Sequence, residues 1–227
     1  MDPNERKGWT SIITPDDLDT HMANIGQAQA NAGMIKQMFK EHPCGPRVWA
    51  PGGGTCQMLD YITLADLGDQ VELTLTDINS SFLEKAKRRL DRFQQARYEL
   101  FIDDIEETSL KRSYDGVLVV LVLQHVEWQK ALDSVISTEP DNLYIIIQEQ
   151  FANGNPISQD RELPPSIKKF SKYAAGKLVP RIKLCNYISR REYEFAKEYK
   201  REVQDEKTMA GFVFTRLPTP KKHINTL

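Results

Sequence analysis

The sequence predicts an α/β protein: a doubly wound, mostly parallel sheet of seven strands, closed by a C-terminal antiparallel hairpin, with an N-terminal helix and a lid insertion added. Three observations predict it. Short apolar runs alternate with amphipathic stretches between residues 47 and 147. Two of those runs, 116–123 and 143–147, are apolar on both faces, as strands covered from both sides must be. The first run, Arg47-Val48-Trp49-Ala50-Pro51, leads into Gly52-Gly53-Gly54, a turn with no Cβ atoms to hold a ligand away from the backbone.

The elements follow in order. Residues 1–14 read as a loose arm. Thr14-Pro15-Asp16-Asp17 is a helix start, with a capping hydroxyl, proline at the first helical position and acids at the positive end of the dipole. That helix is expected to run to about residue 41, where His42-Pro43-Cys44-Gly45-Pro46 breaks it. Strand 47–51 then feeds a helix from 55 to about 67. Strand 71–76 feeds a helix after Asn79-Ser80, with Phe82, Leu83, Ala86 and Leu90 at helical spacing. Strand 98–102 is followed by a segment, 103–114, too short and polar for a full helix. Strand 116–123, a helix carrying Trp128, Leu132, Val135 and Ile136, and strand 143–147 complete the alternation. Beyond 150 the pattern changes. Residues 151–165 read as loop, and a basic, aromatic-containing section runs to 201. Residues 203–209 and 211–217 are expected to pair as a hairpin turning near Ala210-Gly211, before a frayed tail at 218–227. The chain therefore divides into an arm and cap helix (1–45), a core (46–150), a substrate lid (151–200) and a closing hairpin with tail (201–227), within one domain overall.

Composition narrows the class. At 227 residues, 40% apolar and 27% charged, the chain reads as an ordinary soluble globular protein. No apolar run approaches the roughly 20 residues that span a membrane. Cys44, Cys56 and Cys185 are odd in number and form no CxxC pair, so neither a zinc site nor a disulfide framework is indicated, and a cytoplasmic location is expected. His21, His42, His125 and His223 are too scattered to suggest a metal site. The net charge of −2 hides an asymmetry: residues 166–201 hold eleven Lys or Arg against three Glu. Charge of one sign gathered in one segment can steer an acidic partner, although charge runs more often serve solvation.

The chemistry centres on the glycine turn and on Asp77, which closes the second strand 23 residues after Gly54. A glycine turn after one strand and a carboxylate at the end of the next is how open α/β sheets hold an adenosine ribose. Around this pair, Val48-Trp49-Ala50-Pro51-Gly52-Gly53-Gly54-Thr55, Leu75-Thr76-Asp77-Ile78-Asn79, Phe101-Ile102-Asp103-Asp104-Ile105-Glu106, and Tyr114-Asp115-Gly116-Val117 with Leu121-Val122-Leu123-Gln124-His125-Val126 occur in sequence. In this order and spacing, over about residues 46–150, they resemble the motifs of class I (Rossmann-like) S-adenosylmethionine-dependent methyltransferases.

The resemblance implies S-adenosylmethionine as cofactor and S-adenosylhomocysteine as product. It implies a binding set of Ala50, Gly52, Gly53, Gly54, Asp77, Ile78, Asp103, Asp104, Ile105, Leu121 and Gln124. Gly52 and Gly54 would admit the methionine part. Asp77 would accept from both ribose hydroxyls, since a carboxylate offers two oxygens to a vicinal diol. Asp104, with Asp103 as its rival, would accept from the adenine amino group, with Ile105 and Ile78 beside the ring. No catalytic residue is assigned, and His125 and His21 are the candidates for proton transfer. Two positions depart from the pattern: Ala50 stands where the family usually has an acid, and Cys56 where it has a last glycine. Asp60 and the glutamines of the N-terminal helix are possible substitutes for that acid. Methyl transfer to O, N or C of a small molecule is the first expectation. Methylation of RNA or another acidic macromolecule through residues 166–201 is the second, and a non-catalytic cofactor-binding module the third. The oligomeric state is not legible.

Overall fold

A computed structural model describes residues 1–149, 162–174, 176–204 and 207–218. Of the loop expected over 151–165 and the tail expected over 218–227, residues 151–161 and 219–227 lie outside the described residues. Strands β1 (Arg47–Pro51), β2 (Glu72–Asp77), β3 (Arg97–Ile102), β4 (Gly116–Val120) and β5 (Asn142–Gln148) are parallel. β6 (Tyr193–Val203) and β7 (Lys207–Arg216) form an antiparallel hairpin attached to β5 through β7. The order is β3-β2-β1-β4-β5-β7-β6, so the winding reverses between β1 and β4. The crevice at the carboxyl ends of strands beside such a reversal is where open α/β sheets take ligands.

Alternation along the central strands builds a core on each face. Val48, Ala50, Leu118, Tyr144 and Ile146 pack on one side, and Trp49, Val117, Val119, Leu143, Ile145 and Ile147 on the other. Trp49 is fully buried, and its Nε1–H donates to Thr76 Oγ1 at 3.2 Å. Helix α3 (Gln27–Glu41) and α4 (Ser80–Leu90) cover the first face; α5 (Trp128–Ile136) and α7 (Arg181–Ser189) cover the second.

The hairpin corrects the expected pairing of 203–209 with 211–217. Its first strand starts at Tyr193, so residues expected in the lid segment are edge strand. Ala210 and Gly211 lie within β7, opposite Lys200 and Tyr199, rather than at a turn. Gly211 is needed there because Met38 and Met34 of α3 press on it: an added Cβ would lie 3.3 Å from the Met38 sulfur. β6 reads as a charged segment because it is the sheet edge, where exposed Glu194, Lys197, Lys200 and Arg201 discourage further strand pairing.

The N-terminal region also differs from expectation. The arm contains helix α1 (Pro3–Ser11), whose first turn is capped by Asp2 accepting from the Asn4 and Glu5 N–H groups at 2.9 and 3.2 Å. The helix begun by Thr14 stops early as α2 (Pro15–Asn24). Gly26, with φ +74°, turns the chain before α3, so the single helix expected over 15–41 is two. Residues expected as a helix over 55–67 form two 3₁₀ turns, Gln57–Asp60 and Leu64–Leu67. Thr63 separates them because its N–H and hydroxyl both donate to the Asp66 carboxylate, a capping arrangement that restarts the chain. Trp9, Ile13, Leu18, Phe82 and, from α6 (Pro165–Phe170), Ile167 and Phe170 form a small separate core joining α1, α2, α4 and α6.

Candidate active site

A cavity of about 270 Å³ opens at the carboxyl ends of β1, β2 and β4, and α1, α2, α3 and α6 contribute to its lining. Every residue expected to bind the cofactor lines it, from Ala50 and the three glycines to Leu121 and Gln124, and so do His21 and His125.

The glycines have different reasons to be glycine. Gly52 and Gly54 have φ +59° and +57°, where side chains are strained. A Cβ on Gly53 would lie 2.1 Å from Leu75 Cδ1, so that glycine permits close packing of the turn on β2. A Cβ on Gly54 would meet no protein atom within 4 Å, so its absence leaves open space on the cavity side of the turn. Cys56 also has a left-handed φ, 54°, and is buried; burial pushes its thiol up to about 12. Cys56 thus holds a left-handed backbone at the position where the resemblance leads one to expect glycine.

Asp77 anchors the turn from β2. Its Oδ2 accepts from the Gly54 N–H at 3.0 Å and its Oδ1 from the Asn79 N–H at 2.9 Å. Each oxygen retains acceptor capacity for a further donor. Burial pushes the carboxyl up to about 6, against the N–H donors of Asn79, Gly54 and Ile78, which favour the charged form.

The two adjacent acids separate by role. Asp103 accepts from the Thr108 hydroxyl, the Ser109 N–H and the Ser109 hydroxyl at 2.6, 2.8 and 2.9 Å, which fold the following loop. Asp104 caps the 3₁₀ turn Ile105–Glu107 through the Glu106 N–H at 3.0 Å, and its other oxygen is paired with Arg6 of α1. Ile78 and Ile105 stand beside these acids on the cavity wall.

At the end of β4, Leu121 has φ +58°, a costly conformation for a branched residue, while its N–H donates to Ile146 O at 2.8 Å. The Gln124 carboxamide oxygen accepts from the Gln148 N–H at 3.2 Å and so ties β4's exit to β5. His125 Nδ1 lies 2.7 Å from Glu5 Oε1, and the Trp9 ring meets the imidazole edge-on at 4.8 Å.

Of the proposed substitutes for an acid at position 50, Asp60 is committed elsewhere: it binds Arg89 and Arg92 and does not line the cavity. Gln27 directs its Nε2 to the Met209 sulfur at 3.2 Å. Asn31, one helical turn further along α3, lines the cavity with a buried Oδ1 that has no hydrogen-bond partner. Asp19 of α2 underpins the glycine turn, accepting from Thr55 Oγ1 and pairing with Arg89 and Lys85 at 2.6 Å each.

The sequence reading did not find α1's contribution: Glu5, Arg6 and Trp9. The signal was present in Asp2-Pro3, the same cap-then-proline signature that marks α2. Among its described residues, the basic section at 166–201 reaches the cavity only through the apolar Ile167 and Phe170. Many of its cations are paired on the far edge, among them Arg181 with Glu198, Arg191 with Asp133 and Lys197 with Glu41.

Residues 51–138, from the glycine turn to the end of α5, match a family model described as a methyltransferase domain. The match spans less than half of the 227 residues. Comparison with curated proteins gives no match. Solved structures show that the fold extends beyond the matched domain. The chain is similar over 84% of its length to 83% of a magnesium protoporphyrin IX methyltransferase from Synechocystis PCC 6803 with bound SAH, at 16% identity and a TM-score of 0.62. It is similar over 84% to 73% of an O-methyltransferase from a multienzyme of Brevibacillus brevis in complex with S-adenosyl-L-homocysteine, at 12% identity and a TM-score of 0.57. It is similar over 83% to 82% of the [4+2]-cyclase SpnF, at 11% identity and a TM-score of 0.61. The matched stretch therefore lies within a fold that the chain shares with methyltransferases, and the cyclase shows that this fold alone names no reaction.

Proposed function

We propose that the chain transfers a methyl group from S-adenosylmethionine to a nucleophilic atom of a small molecule. The observation that carries the reading is the pairing of the Gly52–Gly54 turn with Asp77 in a cavity whose described lining contains no Lys or Arg. The residues fit the cofactor. Gly54 leaves space at the turn, Asp77 retains acceptor capacity for two ribose hydroxyls, and Asp104 is the acid placed to read an adenine amino group once Arg6 shares it. The unpartnered Asn31 carboxamide is the polar group left for the amino-acid end, where the family acid is replaced by Ala50. When bound, S-adenosylmethionine supplies an electrophilic methyl group on a sulfonium.

The chain's own part is positioning and exclusion of water. Trp9, Ile13, Leu18, Ile167 and Phe170 supply apolar surface over the cavity, against which an acceptor can be held in line with the methyl group. A cavity with no Lys or Arg in its described lining, and with the Met1 amine taken up by Glu106, offers little to an anionic acceptor, which favours a small molecule over RNA. We also assign the protein to the cytoplasm. No described helix is long and apolar enough to cross a membrane, and all three cysteines are free.

Calorimetric titration with S-adenosylmethionine and S-adenosylhomocysteine tests the reading. Micromolar binding of both is expected, and absence of binding to the folded protein would remove it.

A further inference from the structure

We propose that His125 and Glu5 are a proton-accepting pair and that the methyl acceptor is a hydroxyl group, an inference that rests on the cofactor reading above. His125 stands just beyond β4, in a turn closed by its own N–H donating to Val122 O at 3.0 Å. Glu5 is 3% exposed, and its carboxylate touches His125 Nδ1 at 2.7 Å. A carboxylate at that distance holds the proton on Nδ1 and leaves the Nε2 lone pair available. No described residue engages Nε2, and His125 lines the cavity. Trp9 fixes the ring from one side.

Base, orienting acid and open cavity are the parts of an oriented general base. Two cations of the N-terminal segment are taken up in pairs. Arg6 is on Asp104, the Met1 amine is on Glu106, and Glu106 also accepts the Glu127 N–H at 2.9 Å.

The identity of the acceptor follows from which nucleophile needs such a pair. A neutral amine attacks with its own lone pair. A thiol ionises near pH 8.5, as free cysteine does, and needs little help. A hydroxyl is a poor nucleophile until its proton is taken. In the step, the hydroxyl proton passes to His125 Nε2, giving an imidazolium that the Glu5 carboxylate stabilises. The oxygen electron pair forms the new O–C bond, and the S–C pair stays on sulfur, yielding the methyl ether and S-adenosylhomocysteine. His125 is thus the catalytic residue and Glu5 the positioning residue.

Helix α1 carries the positioning group and, one residue on, the partner of the adenine-side acid. It therefore touches the exits of both β3, through Asp104, and β4, through His125, with Gly8 keeping it close to Phe170: a Cβ there would lie 2.4 Å from that ring.

The test uses the full chain labelled with ¹⁵N-histidine and saturated with S-adenosylhomocysteine. The neutral His125 ring is expected as the Nδ1–H tautomer, and Glu5→Gln is expected to lose that preference. An Nε2–H tautomer in the wild type overturns the proposal whatever the variants do. In parallel, a panel of phenols and aliphatic alcohols is compared with thiols and amines of the same frames, with S-adenosylmethionine as donor. Transfer to hydroxyl members is expected. His125→Gln should lower kcat by about 10²- to 10⁴-fold, the range general-base removal produces, with S-adenosylhomocysteine affinity within about twofold of wild type. Glu5→Gln should lower kcat with KM unchanged. Transfer to thiols or amines alone, transfer to no hydroxyl member, or full kcat in His125→Gln overturns it. A wild-type chain that binds no S-adenosylhomocysteine fails at the cofactor reading instead, so the two failures are separable.

Discussion

The cavity has two walls of different construction. The wall beneath the expected cofactor is mostly backbone: the glycine turn, the ends of β1, β2 and β4, and Asp77 fixed by the Gly54 and Asn79 N–H groups. The facing wall is side chains borne on helices: Trp9 on α1, His21 on α2, Asn31 on α3 and Phe170 on α6. A backbone wall is held by the sheet ladder and changes little when one side chain is replaced. A helical wall depends on packing between elements far apart in sequence, and one added methyl group can unseat it. The first suits a constant ligand, and the second a particular acceptor.

The largest test of this contrast is Asp77→Ala. It removes the side chain that fixes the glycine turn from β2, and it should weaken S-adenosylhomocysteine binding by about 1.5–3 kcal/mol for each charged hydrogen bond lost, read by calorimetry. Unchanged affinity in a folded variant would count decisively against the pocket assignment. Asp77 also makes a signed pH prediction. Its folded-state value, about 6, lies above the ordinary carboxyl value, so the native state keeps the proton as pH rises between the two. This residue's contribution to stability therefore falls as pH rises from about 4 to about 6. Ligand affinity should rise across the same window, because the ribose hydroxyls need the ionised acceptor. The difference between wild type and Asp77→Asn, in urea midpoint and in affinity, should show these opposite slopes. Parallel slopes would mean that the carboxylate does not face the ligand.

Neighbouring glycines sharpen the comparison. Gly53→Ala drives a Cβ to 2.1 Å from Leu75 and 3.0 Å from Ala50 O, so its effect should appear in stability. A loss of about 1–3 kcal/mol is expected from overpacking. Gly54→Ala meets no protein atom but has φ +57°, so its stability cost should be smaller, about 1–2 kcal/mol for left-handed strain. Its larger effect should fall on ligand affinity. Equal affinity losses in the two variants would remove the distinction between packing glycine and ligand glycine. On the helical wall, Gly8→Ala places a Cβ 2.4 Å from Phe170. Faster hydrogen exchange over α1 is expected, with β1 to β5 unchanged.

The same division decides what could be read in advance. β1, β2, β4 and β5 were legible because alternation and apolar runs are local properties, and so were the glycine turn and Asp77. The different partners of Asp103 and Asp104 were not, since they depend on Thr108 and Ser109 folding back on the first and Arg6 reaching the second. Cys56 looked like a loss, yet it keeps a left-handed backbone. The Asp2-Pro3 cap was local and readable, but a short polar helix gives no sign of what it will dock against. The hairpin was misplaced because β6 carries the charges of a sheet edge, which read like a solvated segment.

The smallest expected effect lies farthest from either wall. Lys197 pairs with Glu41 at 2.7 Å, and Lys200 faces Glu149 and Glu198 at 3.7 and 3.5 Å, all on the β6 side of the sheet. Glu41 is held down to about 2 by hydrogen bonds from Lys197, then Gln37 and Tyr199. If these charges solvate an edge strand, Lys197→Ala with Lys200→Ala should leave S-adenosylhomocysteine affinity and turnover unchanged. The variant should be more prone to self-association, because the edge loses its blocking charges. If they steer an acidic macromolecule instead, the wild type should bind a polyanion with a steep loss on added salt, and the double variant should flatten that slope by about one unit per removed phosphate contact. Light scattering and a salt titration with single-stranded RNA separate the two, and the closed ion pairs on β6 predict the first.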